Sequence, residues 1–552
     1  MNWQKNLILA AIGVVVWLLV VRWSDFQIQH QTMPTDEQQP SVAVEKLYTD
    51  RAVTSSTLPV LANDKPTVAK LLANDQKTVS ITTDVLKVTI DTLGGDVIET
   101  QLLKNLDKMA DNGGQPISIL TRSNGNEFTA ESGLIGANGT DTAAGRPIFT
   151  TTANSYELLD GQQALEVDFV YNQDGVEFIK RFEFRASDYK IGVRYIIRNL
   201  SSEPWSATFY GQFRRDSHQP EIDSPTGMKP FLGAAIREND KNYSRYDFSD
   251  IEDKTVKTSI QGGWLAFVQH YFVSAWVPPQ ESKNRFSLRK LQGSDVYLMA
   301  VTGEKINVAP GNIGEYKVDL YVGPKNQDVL KELSEYLDLT IDYGFLWMLA
   351  KPIFAALQII QGFLINWGWS IILLTIFIKI LLYPLSAASL KSMAKMRTLQ
   401  PEMARIKELY GDDRQKAGQE QMALFKKHQV NPLGGCFPML LQMPVFIALY
   451  WVLSESVEIR HSPWIFWIQD LSAKDPLFIL PLIMGASMFL MQKLQPAPTD
   501  PMQAKVFQLM PIMFTFFFMM FPAGLVLYWT VNNLLSILQQ WYVNRQIAAA
   551  AK

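Results

Sequence analysis

The chain has 552 residues, more than one hydrophobic core normally organises, so several folding units are expected. Its formal net charge of −3 argues against nucleic acid as a specific partner. A single cysteine, Cys436, excludes an intrachain disulfide, and the five histidines show no metal-ligand spacing, so we expect neither a metal nor another cofactor.

The chain begins with an uncharged apolar run at residues 7–21, between two basic residues. A secretory signal peptide also has a basic start and an apolar stretch, but no small-x-small cleavage site follows this run. We therefore predict an uncleaved transmembrane anchor over residues 1–23. Residues 24–78 are rich in Gln, Thr, Pro, Asp and Ser, a composition that favours a flexible linker outside the membrane.

Residues 79–325 have a different pattern, in which apolar side chains alternate with polar ones, as at 86–91 and 189–198. This period of two is typical of strands with one buried face, and pairs such as Gly94-Gly95 mark turns between them. The pattern predicts a large, mostly antiparallel β sandwich. Its charged residues are expected on solvated faces, and neither paired carboxylates nor a nucleophile elbow indicates an enzyme.

The segment after the sandwich changes to a helical pattern. Residues 328–339 place three leucines on one side of a short amphipathic helix. Tryptophans such as Trp347 and Trp367 flank the apolar segments that follow, as in the aromatic belt at a membrane surface. We interpret residues 326–362 as an interfacial helix that leads into a membrane core over 363–552.

The first predicted span of this core, residues 367–385, carries one charge, Lys379. About 19 apolar residues can cross a bilayer as a helix. An ionisable side chain at that depth usually faces a bundle interior or a wet cavity. However, Lys379 lies about six residues from the predicted end of the span, roughly 9 Å at helical rise. Its long stem could therefore reach the interface instead, and this run alone leaves both readings open.

Residues 389–430 are polar and contain nine Lys or Arg. A basic loop between spans favours the cytoplasmic side. Apolar residues at intervals of three and four predict a helical hairpin with a short internal seam. The hairpin is either a docking arm for a ribosome or another partner, or a solvated connection, and the pattern does not decide between them.

Four further apolar blocks complete a predicted core of five spans, at 436–453, 477–494, 506–521 and 525–543. With the basic hairpin in the cytoplasm, the spans alternate in direction. Both chain termini are then predicted on the cytoplasmic side.

Polar side chains recur inside these spans, including Thr375, Gln442 and Asn532. Singly, such residues commonly hold helices together. No predicted span contains an Asp or a Glu that could neutralise Lys379. Together with this lysine, the polar side chains favour a hydrophilic cavity between the helices. The spans are also rich in methionine, which is either core filling or the adaptable wall of a site for varied apolar segments.

Several long segments resemble the YidC family of bacterial inner-membrane protein insertases. The resemblance extends over nearly the whole chain, including 262–278 of the β region. The core segments that carry it are SMAKMRTLQPEMARIKELYGDD, VNPLGGCFPMLLQMPVFIALYWVL, DPMQAKVFQLMP and FPAGLVLYWTVNNLLSILQQ.

The resemblance implies a non-enzymatic insertase and chaperone, with a hydrophilic groove that is open to the cytoplasm and lipid and holds one basic residue. That residue is usually arginine and falls on Lys379 here, which keeps the charge but loses the bidentate fork. Some members of the family have a tyrosine that contacts substrate, and the corresponding position in this sequence is Trp529. Met443 and Phe446 match other positions along the substrate path.

The resemblance further implies a β-supersandwich of the sugar-mutarotase type in the periplasm, and a location in the bacterial inner membrane. The implied partners are nascent inner-membrane proteins, the lipid bilayer, the ribosome and targeting machinery, the SecYEG translocon and SecDF. Two alternatives remain: a small-molecule transporter with a periplasmic sensing domain, and a sugar-binding envelope scaffold. Neither inverted repeats nor intramembrane acidic residues, which a transporter would normally carry, are evident in the predicted spans.

Overall fold

The computed structural model describes residues 77–550, except 124, 144, 220–229, 411–412, 429, 431–436 and 495–500. The predicted anchor at 1–23 and almost all of the predicted linker at 24–78 lie outside the described residues. The predicted domain boundaries remain predictions.

The first part of the described chain is built from strands. In chain order they are β1 (Thr78–Thr82), β2 (Leu86–Asp91), β3 (Asp96–Leu106), β4 (Pro116–Ser123), β5 (Asn126–Ile135), β6 (Ser155–Glu157), β7 (Ala164–Gln173), β8 (Val176–Arg185), β9 (Lys190–Asn199), β10 (Trp205–Arg215), β11 (Gly233–Ile236), β12 (Ser244–Tyr246), β13 (Val256–Gln261), β14 (Leu265–Val268), β15 (Phe272–Val277), β16 (Lys283–Lys290), β17 (Tyr297–Val308) and β18 (Ile313–Pro324).

These strands form two sheets. One has the order β13-β16-β17-β10-β5-β4-β3-β2-β1-β6, and the other β12-β11-β14-β15-β18-β9-β8-β7. Apart from the parallel pair β1–β6, the named strands pair antiparallel. The prediction of a large, mostly antiparallel β sandwich is confirmed.

Strand β9 shows why the alternating pattern gives a sandwich. Ile191, Val193 and Tyr195 are buried in the core between the sheets. On the opposite face, Arg194 and Arg198 pair with carboxylates of the neighbouring strand β8. Successive side chains of a strand point to opposite faces, so one face enters the core and the other carries the charges.

The expectation that charged residues of the sandwich lie on solvated faces is wrong for one cluster. Arg146 pairs with Asp96 and, at 2.7 Å, with Asp141, and all three are buried. Nearby, the fully buried Lys180 donates from Nζ to the carbonyl oxygens of Gly94 and Ser132, both at 3.0 Å. Burial lowers the pKa of Lys180 to about 7. The cluster ties together segments that are distant in sequence, so no local pattern indicates it.

The β region also contains one short helix, α1 (Phe248–Asp253). The described chain after the β region is mainly helical. The later helices are α2 (Gln327–Leu333), α3 (Trp347–Leu364), α4 (Trp367–Leu381), α5 (Tyr383–Thr398), α6 (Gln400–Tyr410), α7 (Arg414–Lys427), α8 (Phe437–Glu455), α9 (Ile479–Lys493), α10 (Pro501–Phe518) and α11 (Ala523–Ala550).

The amphipathic helix expected at 328–339 is shorter than its pattern indicated. Asn326 caps the start of α2 by accepting from two backbone amides, but the helix ends at Leu333. Tyr336 has a φ of 67°, a left-handed backbone conformation that a continuing helix does not allow. A 3₁₀ turn at Leu337–Thr340 follows in place of the predicted last turn.

Only one described helical segment, Gly344–Leu364, is by itself long and apolar enough to cross a membrane. Helices α4 and α5 would make a second span if they were taken together, but they are bent by 67°. The interfacial position predicted for residues 326–362 stays a prediction, because length and composition do not distinguish crossing a bilayer from lying at its surface.

The bend between α4 and α5 lies inside the span predicted at 367–385. Helix α4 ends at Leu381, and α5 begins at Tyr383 with a proline in its first turn. Proline lacks an N–H and clashes with the preceding turn, which explains why the helix does not continue straight. Lys379 therefore lies in the last turn of α4, just before the chain changes direction.

The basic segment at 389–430 contains the end of α5 and the two helices α6 and α7. These two helices pack on a small buried cluster made by Leu399, Met403, Leu424, Phe425 and Val430. The Lys and Arg side chains of the segment are exposed wherever its side chains are described. The described part thus consists of two packed helices with a basic surface, and the predicted hairpin between two membrane spans stays a prediction.

A buried joint connects the β sandwich to the helices. Lys325, directly after β18, forms a 3.0 Å ion pair with Glu455 at the end of α8, and both side chains are almost fully buried. Next to this pair, His270 Nε2 lies 2.9 Å from the carbonyl oxygen of Ser454, a contact that fits donation from the ring. One continuous apolar cluster contains both sandwich residues such as Trp264 and helix residues such as Val452.

The joint also contains a carboxyl group whose proton affinity is altered. Burial raises the pKa of Glu458 from 4.5 to about 7, and Asp328 adds to the shift. A carboxyl with a raised pKa in the folded protein contributes stability below about pH 4.5, and this stability is lost as the pH rises towards 7. Relative to the parent protein, Glu458→Gln should gain roughly 1–3 kcal/mol in free energy of unfolding as the pH rises from 4.5 to 8. The apparent unfolding temperatures of both proteins across this range provide the measurement.

The exposed Glu281 provides a matched control for this substitution. Because Glu281 is exposed to solvent, Glu281→Gln should change the unfolding temperature only slightly. An equally small effect of Glu458→Gln at every pH in this range would show that the pKa of the buried carboxyl is not raised.

Candidate functional site

A cavity of about 140 Å³ lies among the C-terminal helices, where α4, α5, α8, α9 and α11 meet. One water molecule needs roughly 10–15 Å³ of such space, so the cavity has room for several. Its lining residues are Lys379, Ser386, Leu390, Met393, Gln442, Met443, Met491, Trp529, Asn532, Asn533, Ser536, Gln539 and Gln540. The wall combines polar side chains with methionines and one indole ring.

The side chain of Lys379 is turned into the bundle rather than away from it. Its Nζ donates to Ser536 Oγ at 2.8 Å and has a longer contact of 3.5 Å with Gln442 Oε1. Of the two orientations that the sequence left open, the structure has the inward one. Helices α4, α8 and α11 each contribute one of these three side chains.

The charge of Lys379 is not neutralised within this site. None of the residues that line the cavity, or a smaller one beside it, is an Asp or a Glu. A partly buried ammonium without a carboxylate partner among the lining residues retains its attraction for an incoming anion, because no fixed counter-charge satisfies it.

Thr375 lies one turn before Lys379 and is buried, with its hydroxyl donating to the Ile371 carbonyl oxygen at 2.6 Å. It lines the smaller cavity of about 10 Å³, which has room for about one water. Lys379, Gln442 and Asn532 line both cavities. The structure therefore brings together the predicted polar residues, with Thr375 behind Lys379.

Gln442 and Asn532 differ in how they are held. Gln442 Nε2 donates to the Tyr528 hydroxyl at 3.3 Å, and this contact leaves its Oε1 facing Lys379. Asn532 is buried, and its Oδ1 has no hydrogen-bond partner among the described residues. Buried polar atoms without a partner are uncommon in folded proteins and often occur at functional positions.

Of the three residues predicted to contact substrate, two form the apolar side of the cavity and the third packs behind them. Met443 and Trp529 line the cavity, and the Met443 side chain is 39% exposed. Phe446 does not line it but packs edge-to-face on Trp529, with ring centroids 4.7 Å apart. Phe518 packs against both rings. Phe446 therefore supports the wall from behind.

Ser536, the closest partner of Lys379, was missed in the sequence analysis. In α11 the cavity-lining residues Trp529, Asn532, Ser536 and Gln539 recur every three or four positions, which places them on one helix face. Projection of α11 from Trp529 and Asn532 would have included Ser536. Leu390 and Met393 also line the cavity, but their position could not be predicted from a helix projection, because it depends on the bend between α4 and α5.

No group of three or more His, Cys, Asp or Glu that could hold a metal ion occurs in the described ranges. The chemistry available at the cavity is therefore that of a fixed positive charge, hydrogen-bonding hydroxyls and amides, and a polarizable apolar wall.

Comparisons with known proteins cover almost the whole chain. Residues 78–356 match the family model described as YidC periplasmic domain, and residues 359–550 match the one described as 60Kd inner membrane protein. The membrane protein insertase YidC of Cellvibrio japonicus is 50% identical over 550 residues, which cover 100% of this chain and 99% of the relative. The protein of the same name from Stutzerimonas stutzeri is 48% identical over 562 residues and covers 100% of both chains.

Among solved structures, one described as an active YidC insertase with the first transmembrane domain resolved is also similar. It is 20% identical to this chain, has a TM-score of 0.38, and the match covers 84% of this chain and 92% of that one.

Proposed function

Because the chain belongs to the YidC family of membrane protein insertases, we propose that it inserts newly made proteins into the bacterial inner membrane through the cavity that contains Lys379. Its full-length relatives are named as insertases rather than enzymes, in agreement with the non-enzymatic function predicted from the sequence. The family also implies location in the inner membrane with a periplasmic domain. The alternative of a small-molecule transporter finds no support among these relatives.

The observation that carries the proposed route is the lone ammonium of Lys379, which is turned into the bundle beside a cavity large enough for water. A charge in hydrocarbon is costly, so a protein keeps it there only where water or polar groups can solvate it. The Ser536 hydroxyl and the Gln442 amide supply such groups. This combination fits a groove that accepts polar parts of a substrate partway into the membrane.

Insertion then needs no nucleotide. The short outer tail of a substrate, when acidic, is attracted to Lys379, while the apolar segment behind it passes Met443 and Trp529 into lipid. Burial of each CH₂ contributes about 0.8 kcal/mol, so a typical span supplies the driving force by itself. The groove lowers only the cost of moving a few polar groups, and the methionines accept side chains of different shape.

The surrounding topology and partners are part of the same proposal. The basic hairpin built on α6 and α7 lies in the cytoplasm with both termini, and receives ribosomes and the targeting machinery. The protein works alone or beside SecYEG and SecDF. The β sandwich lies in the periplasm, as the family match for residues 78–356 implies.

Site-specific crosslinking to a ribosome-bound nascent membrane protein tests the route. A photoreactive residue at Met443 or Trp529 should crosslink efficiently to the apolar segment of the nascent chain, because both positions line the cavity. The same residue at Thr375 should crosslink less, because Thr375 is buried behind Lys379. The yield of each adduct on a gel is the measurement.

Phe516, which is 65% exposed and does not line the cavity, is a matched control for an apolar position accessible to lipid. Adducts from Phe516 as strong as those from Met443 and Trp529 would mean that the nascent chain follows the outer surface. The proposed route would then be wrong.

A further inference from the structure

Ser536 occupies a position that the proposed route does not by itself require. Its Oγ accepts from Lys379 Nζ at 2.8 Å and donates to the backbone carbonyl oxygen of Asn532 at 2.7 Å. The hydroxyl hydrogen is thus already engaged within α11. The oxygen lone pairs are left to face the ammonium.

Lys379 could also adopt the other orientation, in which its side chain points out of the cavity towards the membrane interface. The residue is in the last turn of α4, and a lysine stem of four methylenes can carry its charge towards the polar interface beyond the helix end. The inward orientation must therefore be stabilised against this competing state. The contact with Gln442 is long, at 3.5 Å, so Ser536 is the stronger partner.

We infer that Ser536 is a positioning residue that keeps the ammonium of Lys379 inside the cavity and leaves one of its donors directed at the substrate. An ammonium group has three N–H donors. Ser536 and Gln442 engage two, so the third is available to a single carboxylate oxygen of an acidic tail. This one-point contact suits lysine, whereas arginine would offer a planar fork.

The inference rests on the proposed function, since it assumes that the charge of Lys379 draws in acidic tails. Its test uses two versions of one substrate, which differ only in whether the short outer tail is acidic or neutral. The readout is the ratio of inserted acidic-tailed to inserted neutral-tailed substrate in a depletion strain complemented with each full-length variant.

Ser536→Ala should lower this ratio by about tenfold, the scale of one hydrogen bond to a charged group. Ser536→Thr, which keeps a hydroxyl at the same carbon, should restore the ratio. Ser370→Ala is the matched control, because the Ser370 hydroxyl also donates to the carbonyl oxygen four residues earlier, that of Asn366 at the start of α4, but Ser370 does not line either cavity. Its ratio should equal that of the parent.

Lys379→Gln separates failure of the inference from failure of the proposed function. A ratio that falls in Lys379→Gln but not in Ser536→Ala would overturn the positioning role and leave the groove charge intact. A ratio unaffected by either substitution would overturn both. Equal loss of both substrates in Ser536→Ala would indicate a structural role for the serine and would also overturn the inference.

Discussion

Insertion of acidic-tailed membrane proteins is expected to be lost in Lys379→Glu and retained in Lys379→Arg. Two unit charges 4 Å apart interact by about 4 kcal/mol at the effective dielectric constant of a partly wet site. Reversal of the sign turns this attraction into a repulsion of similar size, which is enough to reduce entry of an acidic tail more than a hundredfold. Protease protection of the translocated tail, in cells depleted of the parent protein, provides the measurement.

The arginine variant is the control for charge. A guanidinium keeps the positive sign, and the cavity beside Lys379 gives space for its larger head group. A substrate with a neutral tail is the second control, since the Glu variant should insert it far better than the acidic one. Equal insertion of both substrates by Lys379→Glu would show that the lysine does not act by attracting a negative charge.

The sequence contains the information for the sandwich in a local form. Ile191, Val193 and Tyr195 alternate with Lys190, Gly192 and Arg194. Burial of one face follows directly from the two-residue repeat of a strand. The apolar helices are indicated in the same way, by runs without charge. A location of these helices in a membrane is likewise predicted from their composition, without knowledge of the tertiary contacts.

The parts that could not be predicted depend on contacts between distant residues. Arg146 pairs with Asp96 from 50 positions away, and Lys180 donates to the carbonyl of Gly94 from 86 positions away. Nothing in the neighbourhood of these charges distinguishes them from solvated ones. The contact of Lys379 with Ser536, 157 residues apart, has the same origin, although the helix face of α11 contained a usable signal.

A substitution in the joint between the sandwich and the helices is expected to cause a large loss of stability. Lys325→Met leaves the carboxylate of Glu455 buried without its cation, and removal of one partner of a buried ion pair typically costs about 3–5 kcal/mol. For a unit the size of the sandwich, this corresponds to a fall of about 6–20 °C in apparent unfolding temperature. Thermal unfolding of the purified full chain measures the loss.

The exposed pair of Lys290 and Glu252 is the matched control, because its atoms are 2.8 Å apart, slightly closer than those of the buried pair. Exposed pairs contribute about 0–1 kcal/mol, so Lys290→Met should hardly change the unfolding temperature. The double variant Lys325→Met with Glu455→Leu should recover most of the stability, since an apolar pair of similar volume avoids the desolvation penalty. If Lys325→Met were no worse than Lys290→Met, water would have to reach the joint, and the sandwich could not be held against α8 by a buried charge.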